Sequence, residues 1–205
     1  MAVAQPIDRL MIASPQYLTP DEYLELEAES AVKHEYIDGE VYAMAGASDP
    51  HVTIALNLAT LLLSHVRKTG CRAYISDMKA QIDAPNRFYY PDVMVTCDPR
   101  DQENSNYKRF PKLIVEVLSN STEAFDRGDK FIDYQTLESL EEYVLINTRY
   151  QRVECFRRSE GGFWVLQSYT PEQRDFRLES VDFEGPFEML YEDVVLESQP
   201  PIAEL

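Results

Sequence analysis

Sulfur and imidazole are scarce in this chain. Its 205 residues hold three cysteines and three histidines. Cys71, Cys97 and Cys155 form no CxxC pair, and His34, His51 and His65 form no HxxxH. That pattern argues against a zinc site built from sulfur and nitrogen. Buried, reduced thiols are expected instead, and any metal has to be held by oxygens. No apolar run approaches 18 residues, so no transmembrane helix is expected. The first residues, MAVAQPIDRLMIASPQ, lack the basic and apolar regions of a secretory leader, and the chain reads as cytoplasmic. Internal repeats and low-complexity segments are missing too. Basic charge is in short supply: 19 Lys+Arg stand against 36 Asp+Glu, a formal net charge of −17.

What is present points to a folded domain. Hydrophobic residues make up 44% of the chain, with 13 Tyr, 9 Phe and 1 Trp, far too many aromatics for a disordered chain. The length suits one medium domain, placed at 19–195 between tails at 1–18 and 196–205. The acidity is concentrated at the ends. Residues 1–50 and 172–205 each hold 10 acids and 2 bases, while residues 51–171 hold 16 and 15. An acidic protein repels phosphate at long range and forfeits the counterion release that drives most nucleic-acid binding.

Local signals set the order of elements. Thr19-Pro20-Asp21-Glu22 is a helix start with a capping box, and a short helix runs to about Glu29. Asp38-Gly39 joins two strand-like runs, from His34 and to Met44, as a hairpin. Asp49-Pro50 opens the longest helix, to about Lys68, with Val52, Ala55, Leu56, Ala59, Leu62, Leu63 and Val66 on a broad apolar stripe. Strands are expected at 71–75, 78–84 and 88–97, followed by a polar loop over 98–111. Lys112 to Leu118 reads as a central strand. Ser121 to about Leu140 reads as a helix with a weak point at Gly128. Three more strands follow at 142–147, 152–158 and 163–169, and a short helix at 186–193. The fold class is mixed α/β, a central sheet flanked by helices.

Two carboxylates stand out. Glu116 interrupts the apolar run Leu113-Ile114-Val115-Glu116-Val117-Leu118, and its same-face neighbours Ile114 and Leu118 are apolar. An ionised Glu there needs a compensating cation. Asp92 follows Pro91 at the edge of a second apolar run. If the two strands pair, Asp92 and Glu116 converge, and each raises the other's pKa. Magnesium resolves that repulsion, because it prefers hard oxygens and needs one or two carboxylates plus water and substrate phosphate.

The ordered blocks resemble a known family. Pro91-Asp92 followed by Val115-Glu116-Val117-Leu118-Ser119 resembles the PD-(D/E)XK nuclease superfamily. With Glu35 to Glu40 upstream and Asp126, Lys130 and Tyr134 downstream, the likeness is to its family of putative restriction endonucleases, over about 20–195. The resemblance implies a restriction-endonuclease-like fold and a metal-dependent endonuclease, with DNA the leading substrate. It implies Mg²⁺ (or Mn²⁺) held by Asp92 and Glu116 with the backbone carbonyl of Val117. It also implies Lys130 acting on the attacking water or the transition-state charge, Glu35 holding a water or second metal, and a homodimer that cuts both strands. The superfamily lysine two residues after the Glu is Leu118 here. Lys130, on the following helix, takes its place, with Asp126 four residues earlier to orient it; Lys79 is the alternative. Asp77 could reach the site from a neighbouring strand. Tyr134 reads as core, and His51 as a structural histidine. Lys108, Arg109, Lys112, Arg149, Arg152, Arg157 and Arg158 are candidates for a local positive face. The −17 charge and Leu118 motivate a rival, a degenerate binding or assembly module; a third reading is a metal-dependent hydrolase of small phosphoesters, for which an acidic surface matters less.

Overall fold

A computed structural model describes residues 17–196. Most of both expected tails lies outside the described residues. The helices are α1 (Pro20–Glu29), α2 (Asp49–Val66), α3 (Glu123–Arg127), α4 (Asp129–Tyr134) and α5 (Phe187–Leu190). The first strands are β1 (His34–Ile37), β2 (Glu40–Ala43), β3 (Arg72–Ile75), β4 (Lys79–Ile82), β5 (Arg87–Tyr89) and β6 (Val93–Thr96). After them come β7 (Tyr107–Lys108), β8 (Pro111–Leu118), β9 (Glu142–Asn147), β10 (Val153–Arg158) and β11 (Trp164–Tyr169), then β12 (Asp175–Leu178) and β13 (Phe183–Pro186).

A six-stranded mixed sheet, in the order β11-β10-β9-β8-β6-β3, forms the centre. Its parallel pair is β8 with β9. On β8 the period-two pleat sorts the side chains. Leu113, Val115 and Val117 pack with Ile54, Leu58 and Leu62 of α2 and with Phe176, Phe187 and Leu190. Ile114 and Leu118 pack on the opposite face with Phe131, Tyr134, Leu137 and Tyr143. That second face also receives Ala80, Ile82 and Tyr89 from a five-stranded sheet, β2-β1-β5-β4-β7. Glu116, between Ile114 and Leu118 in the pleat, is buried on this second face.

The structure departs from the sequence-based expectations in six places. On α2 the buried face runs through Ile54, Leu58, Ala59, Leu62 and Val66, while Val52, Leu56 and Leu63 of the expected stripe are exposed. Part of the expected loop over 98–111 is strand β7. The run 88–97 is two strands in two sheets. β5 pairs with β1 and β4, β6 pairs with β3 and β8, and Tyr90-Pro91-Asp92 makes the crossing. The helix expected over 121–140 is two short helices that meet at Gly128. The β12–β13 pair was not anticipated. Finally, the cysteines are not all thiols: Cys71 and Cys97 are joined, and Cys155 is free and buried. The β3–β6 register, Arg72 opposite Thr96, brings the two together one residue further along.

Candidate active site

Pairing of β6 with β8 puts Val93 opposite Val115, so Asp92 stands beside Glu116 at the mouth of the crossing. Asp92 is held from two sides. Its Oδ2 accepts the Val117 backbone N–H at 2.7 Å, and its Oδ1 lies 2.9 Å from His51 Nε2 at the first turn of α2. His51 is thus a structural histidine, as expected, and what it structures is a site carboxylate.

Glu116 Oε1 lies 2.9 Å from Lys130 Nζ on α4 and accepts the Tyr134 hydroxyl at 3.1 Å. The same ammonium lies 3.1 Å from Glu35 Oε1 on β1 and 3.7 Å from Asp126 Oδ1 on α3. The hairpin at Asp38-Gly39, both with positive φ, aligns Glu35 opposite Tyr42 on β2. Glu35, Glu116, Asp126 and Lys130 are all more than nine-tenths buried. Beneath the ammonium lies the Tyr89 ring, 5.4 Å to its centroid. Tyr89 donates in turn to Asp133 Oδ2 at 2.5 Å, and Arg87 Nε reaches the same oxygen at 3.2 Å.

The electrostatics follow from burial and imbalance. Three carboxylates, Glu35, Glu116 and Asp126, gather around one ammonium, and a fourth, Asp92, stands beside Glu116. Burial pushes the Glu116 carboxyl well above its usual range; Lys130 opposes the rise, while Asp92 and Asp126 add to it. Burial likewise raises Asp126, against Lys130 and a hydrogen bond from Thr122. Burial works against the Lys130 charge, but Glu116, Glu35, Tyr134 and Asp126 outweigh it and hold the ammonium well above its ordinary value. The Tyr134 phenol is pushed well up, by burial first and then by Glu116, so it stays a hydrogen-bond donor.

A hard divalent cation fits this donor set in kind. The oxygens are carboxylate, the negative charge exceeds the positive, and Glu116 and Asp126 take up protons readily without a further cation. Among the described residues no three His, Cys, Asp or Glu side chains form a ready-made cage.

Of the predicted residues, Glu35, Asp92, Glu116, Val117, Asp126 and Lys130 come together. Val117 does so through its N–H to Asp92. Asp77 does not join them: it is exposed and pairs with Lys33. Lys79 lies elsewhere, against Tyr90. Tyr134 is core, as expected, but its hydroxyl also orients Glu116. The spacing of Lys130 and Tyr134 carried that signal, since residues four apart share a helix face, while Asp126 meets Lys130 across the break at Gly128. His51 carried none, because its contact with Asp92 spans 41 residues.

Most of the bases proposed for a positive face are engaged internally. Lys108 donates to the carbonyls of Asp101 and Asn104. Arg109 pairs with Asp83, Lys112 with Glu141, Arg149 with Glu123 and Arg157 with Glu142. Arg158 donates to the carbonyls of Gln135, Leu137 and Leu140.

Comparison with known proteins places this geometry in context. The sequence model of a family named Uma2 and described as "Putative restriction endonuclease" matches residues 20–187. The uncharacterized protein slr1290 of Synechocystis sp. is 38% identical over 174 residues, 85% of this chain and 91% of that one. A second Synechocystis protein, sll1609, also uncharacterized, is 35% identical over 168 residues, 81% of this chain and 95% of that one. Among solved structures, a "putative nuclease belonging to DUF820" from Anabaena variabilis superposes with a TM-score of 0.70. That match has 18% identity and covers 87% of this chain and 99% of the other, so it shows a shared fold.

Proposed function

Because the chain belongs to the Uma2 family of putative restriction endonucleases, we propose that it is a metal-dependent nuclease that hydrolyses phosphodiester bonds, with DNA the leading substrate. The observation that carries this reading is Lys130 Nζ buried between Glu35 and Glu116, beside a constrained Asp92. An ammonium carried on the following helix fills the role that Leu118, buried on β8, leaves open.

Asp92 and Glu116 would hold Mg²⁺ or Mn²⁺, which when bound supplies Lewis-acid activation of the scissile phosphate and of a water. The rest falls to the protein. His51 and the Val117 N–H fix the two oxygens of Asp92, so its orientation is set before substrate arrives. Tyr134 holds Glu116 Oε1. Lys130 keeps its proton and presents Nζ where negative charge grows in the transition state, in surroundings that screen it little. Glu35 holds Lys130 in place. Cutting both strands of a duplex takes two such sites, and a two-fold pair of chains supplies them.

The test is cleavage of supercoiled plasmid and of single strands in Mg²⁺, Mn²⁺ and EDTA, beside Asp92→Ala and Glu116→Gln. Metal-dependent cleavage is expected, lowered on the order of 100-fold or more in either variant, as for loss of one preorganised electrostatic group, with the circular dichroism spectrum unchanged. Unchanged cleavage in Glu116→Gln discards the site. No cleavage by the wild type, together with no metal binding by calorimetry, leaves the non-catalytic binding module, which the −17 charge favours.

A further inference from the structure

Lys79 differs from the bases engaged in ion pairs. It is half-buried on β4, opposite Tyr107 of β7. Its ammonium lies 3.2 Å from the Tyr90 hydroxyl and 5.1 Å from that ring's centroid, and it makes no ion pair among the described residues. Burial lowers its pKa; Glu27 opposes that and Lys33 adds to it. A cation so placed gains from an incoming anion.

A cavity of about 280 Å³ lies in front of it, lined by Glu27, Ser30, Lys33, Lys79, Tyr90 and Asn106 among others. Lys33 stands 5.8 Å over the same Tyr90 ring. Its partner Asp77 lies outside the lining, and both are well exposed, so that ion pair is easily exchanged. Glu27 is the one carboxylate in the lining. Its Oε1 accepts the Tyr90 hydroxyl at 2.8 Å and the His34 backbone N–H at 2.9 Å, and its Oε2 lies 3.0 Å from His34 Nδ1. Those donors cover its charge on the inner side. The volume falls below the 300–1,000 Å³ usual for larger organic ligands, so the cavity suits a small anion.

Its position is across the strand from the candidate active site, because the pleat sends consecutive side chains to opposite faces and the cavity is lined from the α1 side. Tyr89 packs under Lys130, while Tyr90, the next residue, stands against Lys79. Asp92 is two residues further, at most about 7 Å along the chain. We propose that the cavity binds a backbone phosphate of nucleic acid, on the face of the five-stranded sheet away from Asp92 and Glu116, with Lys79 and Lys33 as its cationic donors. This rests on the nuclease reading for its ligand, but the cavity can be tested without it.

Inorganic phosphate is the first probe, titrated into the intact protein while the Lys79 side-chain and Tyr90 ring resonances are followed by NMR. A labelled single-stranded oligonucleotide in EDTA is the second, its affinity read by anisotropy at several salt concentrations. Lys79→Gln and the more exposed Lys33→Gln are compared with wild type. Phosphate is expected to shift both resonances in wild type, with the Tyr90 shift lost in Lys79→Gln. Each variant should flatten the log–log salt slope for the single strand by roughly 0.7. Absence of a phosphate-induced shift in wild type overturns the site, and so does an unchanged slope in both variants. The nuclease reading is judged separately, by Glu116→Gln cleavage. Phosphate binding without metal-dependent cleavage keeps the cavity and removes the catalytic reading, and the opposite pair of results does the reverse.

Discussion

Asp126 shows what the site costs the fold. It lies 3.7 Å from Lys130, the longest of that ammonium's three contacts, and is buried near three other carboxylates. Burial holds its pKa above the ordinary 3.8 in the folded protein. For an acid raised on folding, the stabilising contribution is complete below the unfolded value and is lost as pH rises through the folded one. Ionised Asp126 therefore weighs against the fold at neutral pH. Asp126→Asn keeps the shape and an acceptor for Thr122 while removing the charge. The metal-free variant should melt roughly 2–4 °C higher at pH 7, the shift that ~1 kcal/mol gives a chain of this size. The gain should shrink as pH falls toward 3.8. Differential scanning calorimetry across pH checks both. A lower melting temperature at pH 7 would mean that Lys130 needs this third carboxylate more than the cluster resents it.

At the scale of elements, the break at Gly128 matters most, because Asp126 and Lys130 sit two residues to either side of it. A methyl group at Gly128 would lie 3.0 Å from the Ala124 carbonyl oxygen, a backbone atom with little room to yield. Gly128→Ala should therefore tilt α3 against α4, lower stability by about 1 kcal/mol and weaken metal-dependent cleavage. A thermal melt with the plasmid assay reads both, and wild-type values in each would show that the break is incidental. The same break limits what the sequence discloses. Thr19 and Glu22 complete their capping box, and Asp38-Gly39 turns its hairpin, because both signals are local. Gly128 is visible as a weak point, but whether a helix bends or stops there depends on Tyr143, whose hydroxyl donates to the Asp126 carbonyl from another strand. The crossing at Tyr90-Pro91-Asp92 was hidden for a related reason. Pro91 marks an edge between β5 and β6, but that they join different sheets depends on their different partners. The Cys71–Cys97 link depends on the register of β3 with β6, which 26 residues of spacing do not reveal. Asp92 and Glu116 were legible because charge at an apolar strand demands compensation, and Lys130 only through the family resemblance; His51 was not, because its role exists only once α2 packs.

For the whole molecule, a net charge of −17 has to coexist with the polyanionic substrate proposed above. Two arrangements are consistent with that. Acidic residues crowd the chain's two ends, and most bases of the middle segment are tied to internal carboxylates and carbonyls. On the proposed reading, long-range attraction is surrendered, and contact with phosphate is left to a few placed groups: Lys79 and Lys33 at the cavity, and the cation that Asp92 and Glu116 would hold. A protein with 6–10 phosphate contacts loses about 10³–10⁵ in affinity between 50 and 200 mM salt, whereas one or two contacts on duplex DNA cost roughly 3–12-fold. The expected behaviour is the second: weak duplex binding with a shallow salt dependence, strengthened by a divalent cation and losing that gain in Glu116→Gln. Anisotropy titrations at fixed ionic strength, with and without Ca²⁺, measure this. A steep slope in EDTA would instead require an extended basic face, and with it a different path for the nucleic acid across the protein.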